Sequence, residues 1–259
     1  MQPLKQSFRN LGIHLFVGIG GGIPRNPSPE DPNNDVHLGD VVVGWANRTG
    51  VPAVVPYNYK RLRDGNRSEL LGLLDKPSRQ LLNTLNPISS DREMKRSRFH
   101  CNLQRLADVQ KFQHPGLDND ILFEADYSHV DAKSTETTCS HCDREHLKER
   151  RPRETTIPQF HQGTILSGHM IIQNARARDK LSKEYYNAIC FEMEAAGVVE
   201  DTYCLVTRGI SDYADGHKPL SWEYYAAGTA ATFARDILER IRPALVESIK
   251  SEPIGMEDP

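Results

Sequence analysis

Three charged side chains near the end of this chain have the types and spacing that can do chemistry. Glu194 lies in the sequence CFEMEAAG, and Arg208 and Asp212 are the first and last residues of RGISD. The apolar stretch 203–207 between the two motifs predicts a buried strand, and ligands of open α/β sheets bind where such strands end. A carboxylate there can accept hydroxyl hydrogen bonds or transfer a proton. An arginine can hold phosphate in a bidentate manner or orient a water molecule. The pattern therefore predicts an active site.

Each of these side chains also has an ordinary structural explanation. Carboxylates such as Glu192 and Glu194 are common in the first turn of a helix, where they offset the helix dipole. Asp212 has the context of a turn cap, and Arg208 could form a surface ion pair. The residues alone leave both interpretations open.

A run of glycines follows the first apolar segment of the chain. The segment 13–18 predicts a buried strand, and Gly18–Gly22 predicts a tight turn that lets the backbone approach a ligand closely. Pro24 follows in place of a helix, so the run is not a dinucleotide-binding fingerprint.

The elements that must position these residues alternate between strand and helix. Helices are predicted in the segments 66–111, 174–184 and 192–200. The first of these segments includes a helix from Asp91 to about Lys111. Ser221 is the predicted N-cap of a last helix that Pro243 kinks or ends. Further strands are predicted at 40–44, 51–57, 163–168, 187–191 and 203–207. The alternation favours a sheet covered on both faces, in one domain over residues 1–250. Residues 114–158 are predicted to be an irregular insertion and 251–259 a disordered tail.

The composition excludes several classes of protein. With 259 residues and a net charge of -3, nothing in the composition suggests a general nucleic-acid surface or a lipid-headgroup surface, and neither partner is expected. No apolar run is long enough to span a bilayer, and no signal peptide is visible, so a cytoplasmic location is expected. The five cysteines fit a reducing compartment.

The pair Cys139 and Cys142, with His141 between them, suggests a zinc site. A structural zinc needs four ligands, and the other notable candidates in the sequence are the distant Cys101 and His161. Reduced free thiols are therefore the favoured interpretation, and no metal is predicted.

Taken together, Val17–Gly22, Phe191–Gly197 and Arg208–Asp215 resemble the purine nucleoside phosphorylase and nucleosidase superfamily, in the version found as a fungal nucleoside phosphorylase domain. The resemblance implies a three-layer α/β/α fold with a central, mostly parallel or mixed sheet. It also implies that strands which precede the glycine run in the family are missing here, through truncation or natural shortening.

The resemblance further implies roles for particular residues. Glu194 would bind the ribose 2'-hydroxyl, Met193 would pack under the sugar, and Asp212 would protonate or hydrogen-bond purine N7. The residues expected beside these are Gly20 and Gly21 near the nucleoside, Ser211 as the support of Asp212, Ile171 on a purine face, and Arg208 at phosphate or water.

The activity implied is cleavage of the N-glycosidic bond of a purine nucleoside or related compound. Phosphorolysis and hydrolysis both remain open, with inorganic phosphate as a possible co-substrate and no cofactor. The expected partners are a small-molecule nucleoside and further copies of the chain. Two alternatives stand: a catalytically inactive nucleoside- or nucleotide-sensing module, and a zinc-stabilised interaction domain built on Cys139 and Cys142.

Overall fold

The structure, a computed structural model, describes residues 13–45, 50–58, 60–63, 67–70, 77, 79–88, 98–130, 139–199 and 204–241. Its nine strands are β1 (His14–Gly22), β2 (Val41–Gly44), β3 (Val54–Pro56), β4 (Lys60–Arg63), β5 (Arg67–Leu70), β6 (Phe160–Gly163), β7 (Ile165–Ser167), β8 (Cys190–Glu192) and β9 (Cys204–Asp212). The α-helices are α1 (Arg79–Asn83), α2 (Arg98–Gln104), α3 (Ala175–Glu184), α4 (Ala196–Val199) and α5 (Glu223–Arg240).

Seven of these strands form one mixed sheet in the order β3-β7-β8-β1-β9-β2-β6, and β4 and β5 form a separate hairpin. Strands β1 and β9 are parallel to each other and antiparallel to their outer neighbours β8 and β2. Only Thr164 separates β6 from β7. The two strands are therefore one stretch of chain, in which β6 pairs with β2 at one edge of the sheet and β7 pairs with β8 near the other edge. The sheet therefore curls, and the α/β class with a mixed sheet is confirmed.

The two faces of the sheet bury different sets of residues because successive strand side chains point in opposite directions. Val41, Val43 and Leu205 pack against Phe233 and Ile237 of α5 on the outer face. The inner face buries a second cluster that includes Val42, Val206, Ile210 and Cys190. The contact between α5 and the sheet is close at one position, where a Cβ on Gly209 would lie 1.9 Å from the carbonyl oxygen of Ala226.

Several predicted elements differ from the observed ones. The glycine run is not a turn, because β1 continues through it to Gly22. Glu192 ends strand β8 and does not begin a helix. The last helix begins at Glu223 after a 3-10 turn, and its cap position is Trp222, which makes no side-chain cap hydrogen bond, in place of Ser221.

The predicted helix from Asp91 to Lys111 is wrong in extent. Helix α2 ends at Gln104, a 3-10 turn follows at Gln110–Phe112, and residues 91–97 lie outside the described residues. The wider helical segment 66–111 also contains strand β5. Pro243 and the predicted tail 251–259 lie outside the described residues as well. Across 114–130 and 139–158, the described chain forms 3-10 turns and one isolated bridge between Phe123 and Leu147.

Candidate functional site

A buried ion pair between β8 and β9 is the centre of the candidate site. Arg208 Nη2 lies 2.5 Å from Glu192 Oε2, and both side chains are almost completely buried. The same carboxylate oxygen accepts hydrogen bonds from the backbone nitrogens of Glu194 at 3.1 Å and Ala195 at 2.8 Å. Glu192 therefore fixes both the arginine and the backbone that follows β8.

This ion pair positions a second carboxylate at the surface. Glu194 Oε2 lies 3.2 Å from Arg208 Nη2, yet the Glu194 side chain remains 60% exposed. Met193 beside it is 46% exposed. A carboxylate held on one side by a buried cation and open on the other is available to accept hydrogen bonds from a ligand's hydroxyl groups.

The glycines of β1 make room for these groups. A Cβ at Gly18 would lie 2.1 Å from Arg208 Nη1, so a larger residue would displace the guanidinium. A Cβ at Gly20 would lie 2.6 Å from the Phe191 carbonyl oxygen and 2.8 Å from Cys190 Sγ. The groups that approach Gly18 and Gly20 closely belong to the protein itself, and the predicted approach of a ligand to Gly20 and Gly21 stays a prediction.

Asp212 lies at the end of β9 and is held by its neighbours. Its Oδ1 accepts a hydrogen bond from the Ala214 nitrogen at 2.9 Å, and its Oδ2 accepts one from Ser211 Oγ at 3.0 Å. Lys218 Nζ lies 3.6 Å from Oδ2. Ser211 and the Ala214 nitrogen thus hold the Asp212 carboxylate, and the role of Ser211 as the support of a catalytic acid stays a prediction.

Asp212 and Arg208 both approach the glycines near the carboxyl end of β1. The pairing of β1 with β9 shifts between Gly20 and Gly21, and a Cβ at Gly21 would lie 3.0 Å from Asp212 Oδ1. A Cβ at Gly20 would lie 3.4 Å from Arg208 Cβ. The two predicted groups thus lie beside the carboxyl end of β1, where the strand backbone ends.

The segment predicted to contact a base lies after β7. Ile171 is 64% exposed, and the Tyr57 hydroxyl donates a hydrogen bond to the Met170 carbonyl oxygen at 3.0 Å. The backbone nitrogen of Gly168 donates to the Glu192 carbonyl oxygen at 3.1 Å, which ties this segment to the strand that ends at the ion pair.

A cavity of about 470 Å³ lies elsewhere, and its lining includes Pro24, Gln162 and Tyr186. None of the eight predicted site residues lines it. The exposure of Met193, Glu194 and Ile171 instead makes the candidate site an open edge of the sheet.

Sequence reasoning gave Glu192 a minor place and did not assign Lys218 any role. The signal for the first is the position of Glu192 at the end of a short apolar run, where its side chain lies close to the buried part of the sheet. No sequence signal marks Lys218.

No family model matches the sequence. The chain is 34% identical over 242 residues to a nucleotide-binding leucine-rich repeat (NLR)-like protein of the fungus Hyaloscypha variabilis, which covers 93% of this chain and 23% of the relative. It is 30% identical over 80 residues to a 5'-methylthioadenosine/S-adenosylhomocysteine nucleosidase of Staphylococcus aureus, covering 29% of this chain and 35% of the enzyme.

Among solved structures, an S-adenosylhomocysteine nucleosidase from Streptococcus pyogenes in complex with 5-methylthiotubericidin aligns with a TM-score of 0.51 and 13% identity. The alignment covers 93% of this chain and 72% of that one. The alignment shows that the two chains share an α/β fold.

The fold and the local sequence similarity to a nucleosidase agree with the resemblance to the purine nucleoside phosphorylase and nucleosidase superfamily. The match to the fungal NLR-like protein extends over nearly the whole chain, yet the chain spans less than a quarter of that relative's length. No helix in the described part of the chain is long and apolar enough to cross a membrane.

Proposed function

We propose that this chain hydrolyses the N-glycosidic bond of a purine nucleoside. The observation that carries the proposal is the Glu192–Arg208–Glu194 arrangement, in which a buried ion pair holds an exposed carboxylate beside the end of β9. In this function Glu194 binds ribose hydroxyls, and Met193 contacts the sugar from below.

The charges around Arg208 favour water over phosphate as the acceptor. Its Nη2 already contacts two carboxylates, and its Nη1 is directed at the Ile19 carbonyl oxygen at 3.5 Å. An arginine whose charge is neutralised by two carboxylates is a poor site for a phosphate dianion. Ile19 itself has no hydroxyl to donate. Arg208 is therefore a positioning residue for Glu194.

The chemical step places Asp212 at the purine. The bond between the sugar C1' and purine N9 breaks, and its electron pair goes to the base. Asp212 donates a proton to N7, which neutralises the leaving group. Water adds to the cationic C1', and the proton that it releases to solvent replaces the one that Asp212 gave up, so the products are the free base and the free sugar. Ser211 and the Ala214 nitrogen orient the Asp212 carboxyl group.

Base release by the purified chain tests this proposal. Adenosine, 5'-methylthioadenosine and S-adenosylhomocysteine are suitable substrates, with and without inorganic phosphate. Asp212→Asn should abolish base release while the circular dichroism spectrum is retained, and Glu194→Gln should raise KM for the nucleoside. Glu30→Gln, at an exposed carboxylate on another loop, is the matched control and should leave the rate unchanged. Undiminished turnover by the Asp212 variant would exclude the acid role.

The similarity to an NLR-like protein favours a second candidate function, a nucleoside-sensing module without catalysis. Calorimetric titration with the same nucleosides separates the two. Binding with no detectable free base supports the sensor, whereas release of base excludes it.

A further inference from the structure

Four side chains that can bind a metal ion come from separate parts of the sequence and meet at one place in the structure. The ligand atoms of His129, Cys139, Cys142 and His217 all lie within 4.8 Å of one another. Cys142 and His217 are buried, and the other two residues are partly buried. The cysteines are free thiols. Two cysteines and two histidines are a donor set typical of structural zinc sites.

The distances within this cluster match the edges of a small tetrahedron. His217 Nδ1 lies 3.7 Å from Cys139 Sγ and 3.7 Å from Cys142 Sγ. A zinc ion with ordinary Zn–S and Zn–N bonds in tetrahedral geometry would separate sulfur from nitrogen by about 3.6 Å. The side chains need little movement to enclose an ion.

The surroundings of His217 orient its ring for this purpose. His217 Nε2 lies 3.4 Å from the Tyr127 carbonyl oxygen, to which it can donate a hydrogen bond. That bond leaves the Nδ1 lone pair directed at the two sulfur atoms, and such a second hydrogen bond is usual for metal-binding histidines. The ring also stacks on Phe123, with centroids 4.0 Å apart. The His217 ring is therefore fixed in a ligating orientation before any ion binds.

From these contacts we propose that His129, Cys139, Cys142 and His217 bind one structural zinc ion. The ion would connect residues 129–142 of the irregular segment to the loop that follows β9. The sequence contained the Cys139–Cys142 pair, but its suggested distant partners, Cys101 and His161, are not the residues that the fold brings there. The proposal is independent of the proposed catalytic function.

Metal analysis of the chain, purified without chelators from zinc-supplemented medium, is the first test. The expected result is about one zinc per chain, the stoichiometry of a single four-ligand site. Cys142→Ser and His217→Ala should lose most of this zinc. Cys101→Ser, at an exposed cysteine on α2, and His141→Ala, between the two cysteines, are the matched controls and should retain it.

Cobalt substitution of the unmutated chain keeps the test decisive if the ligand variants fail to fold. Co²⁺ bound by two thiolates in a tetrahedral site gives a thiolate-to-metal charge-transfer band and intense visible absorption, and equimolar Zn²⁺ should abolish both. A chain that contains no metal and gives no such bands with Co²⁺ would overturn the proposal. A Cys139–Cys142 disulfide in the purified protein, detected by mass spectrometry, would overturn it too.

Discussion

Replacing Arg208 by methionine tests the role of the buried ion pair. The side chain of Glu192 is 0% exposed, and in Arg208→Met its carboxylate would keep the two backbone N–H donors but lose the guanidinium that lies 2.5 Å away. Breaking a buried ion pair by removing one partner costs about 3–5 kcal/mol, because the remaining charge is buried without compensation. We expect a loss of unfolding free energy in this range.

The double variant Arg208→Met with Glu192→Gln separates charge from packing. A glutamine oxygen can still accept from the nitrogens of Glu194 and Ala195, and no uncompensated charge remains. Among the described residues, Glu192 Oε1 and Arg208 Nε have no hydrogen-bond partner, so the intact pair is incompletely satisfied. The double variant should therefore recover about 1–3 kcal/mol relative to the sum of the two single changes, within the range of contacting pairs.

Urea denaturation of the wild type, both single variants and the double variant measures this coupling. Base release, measured on the same proteins, should fall in Arg208→Met and stay low in the double variant, because the cation that holds Glu194 is missing from both. Two results would refute the reasoning. Additive stability losses would show that the buried charges do not interact, and full activity in the double variant would show that Glu194 needs no positioning.

Two further predictions concern the scaffold. Gly209→Ala should destabilise the chain by several kcal/mol, since its Cβ would lie 1.9 Å from the Ala226 carbonyl oxygen of α5. Gly197→Ala is the control, because a Cβ there would have nothing within 4 Å, and it should not destabilise the chain. Thermal unfolding of both variants checks this prediction. Burial alone would raise the pKa of Asp40, but Arg153 and a hydrogen-bonded histidine outweigh it and lower the pKa well below 3.8. The stabilisation by Asp40 is thus complete above its ordinary pKa and is lost as pH falls toward the pKa of the folded state. Urea denaturation between pH 7 and pH 3 should therefore show a smaller loss of unfolding free energy in Asp40→Asn than in the wild type.

The positions of the strands could largely be predicted because their apolar runs are short and continuous. Val41–Val43 and Cys204–Val206 are completely or almost completely buried, and such runs indicate a central strand. The glycine run was harder, because glycine is typical of turns. Here glycine serves inside a strand, where Gly18 leaves the space that the Arg208 side chain occupies. Only the pairing of β1 with β9 reveals that requirement.

The candidate site shows the same division between local and long-range information. Motif spacing placed Glu194, Arg208 and Asp212 near one sheet edge, but it did not show that Glu192 takes the buried side of Arg208. Glu192 ends β8 and Glu194 lies in the turn that follows, so which carboxylate is buried depends on how that turn folds back on Glu192. The cysteine pair was visible in the sequence, whereas His217 lies 75 residues beyond Cys142 and enters the cluster only through the fold.

The loop after β9 connects the candidate acid to the cysteine–histidine cluster. Asp212 Oδ1 accepts from the Ala214 nitrogen, and Asp215 Oδ1 accepts from the His217 nitrogen at 2.8 Å, so two successive side-chain-to-backbone turns shape the loop. Ala214 adopts a left-handed conformation with φ 51°, which reverses the chain between the two turns. Because the turns follow each other directly, a ligand that fixes His217 also limits the conformations open to Asp212. An ion at the cluster would then order the candidate site without touching substrate.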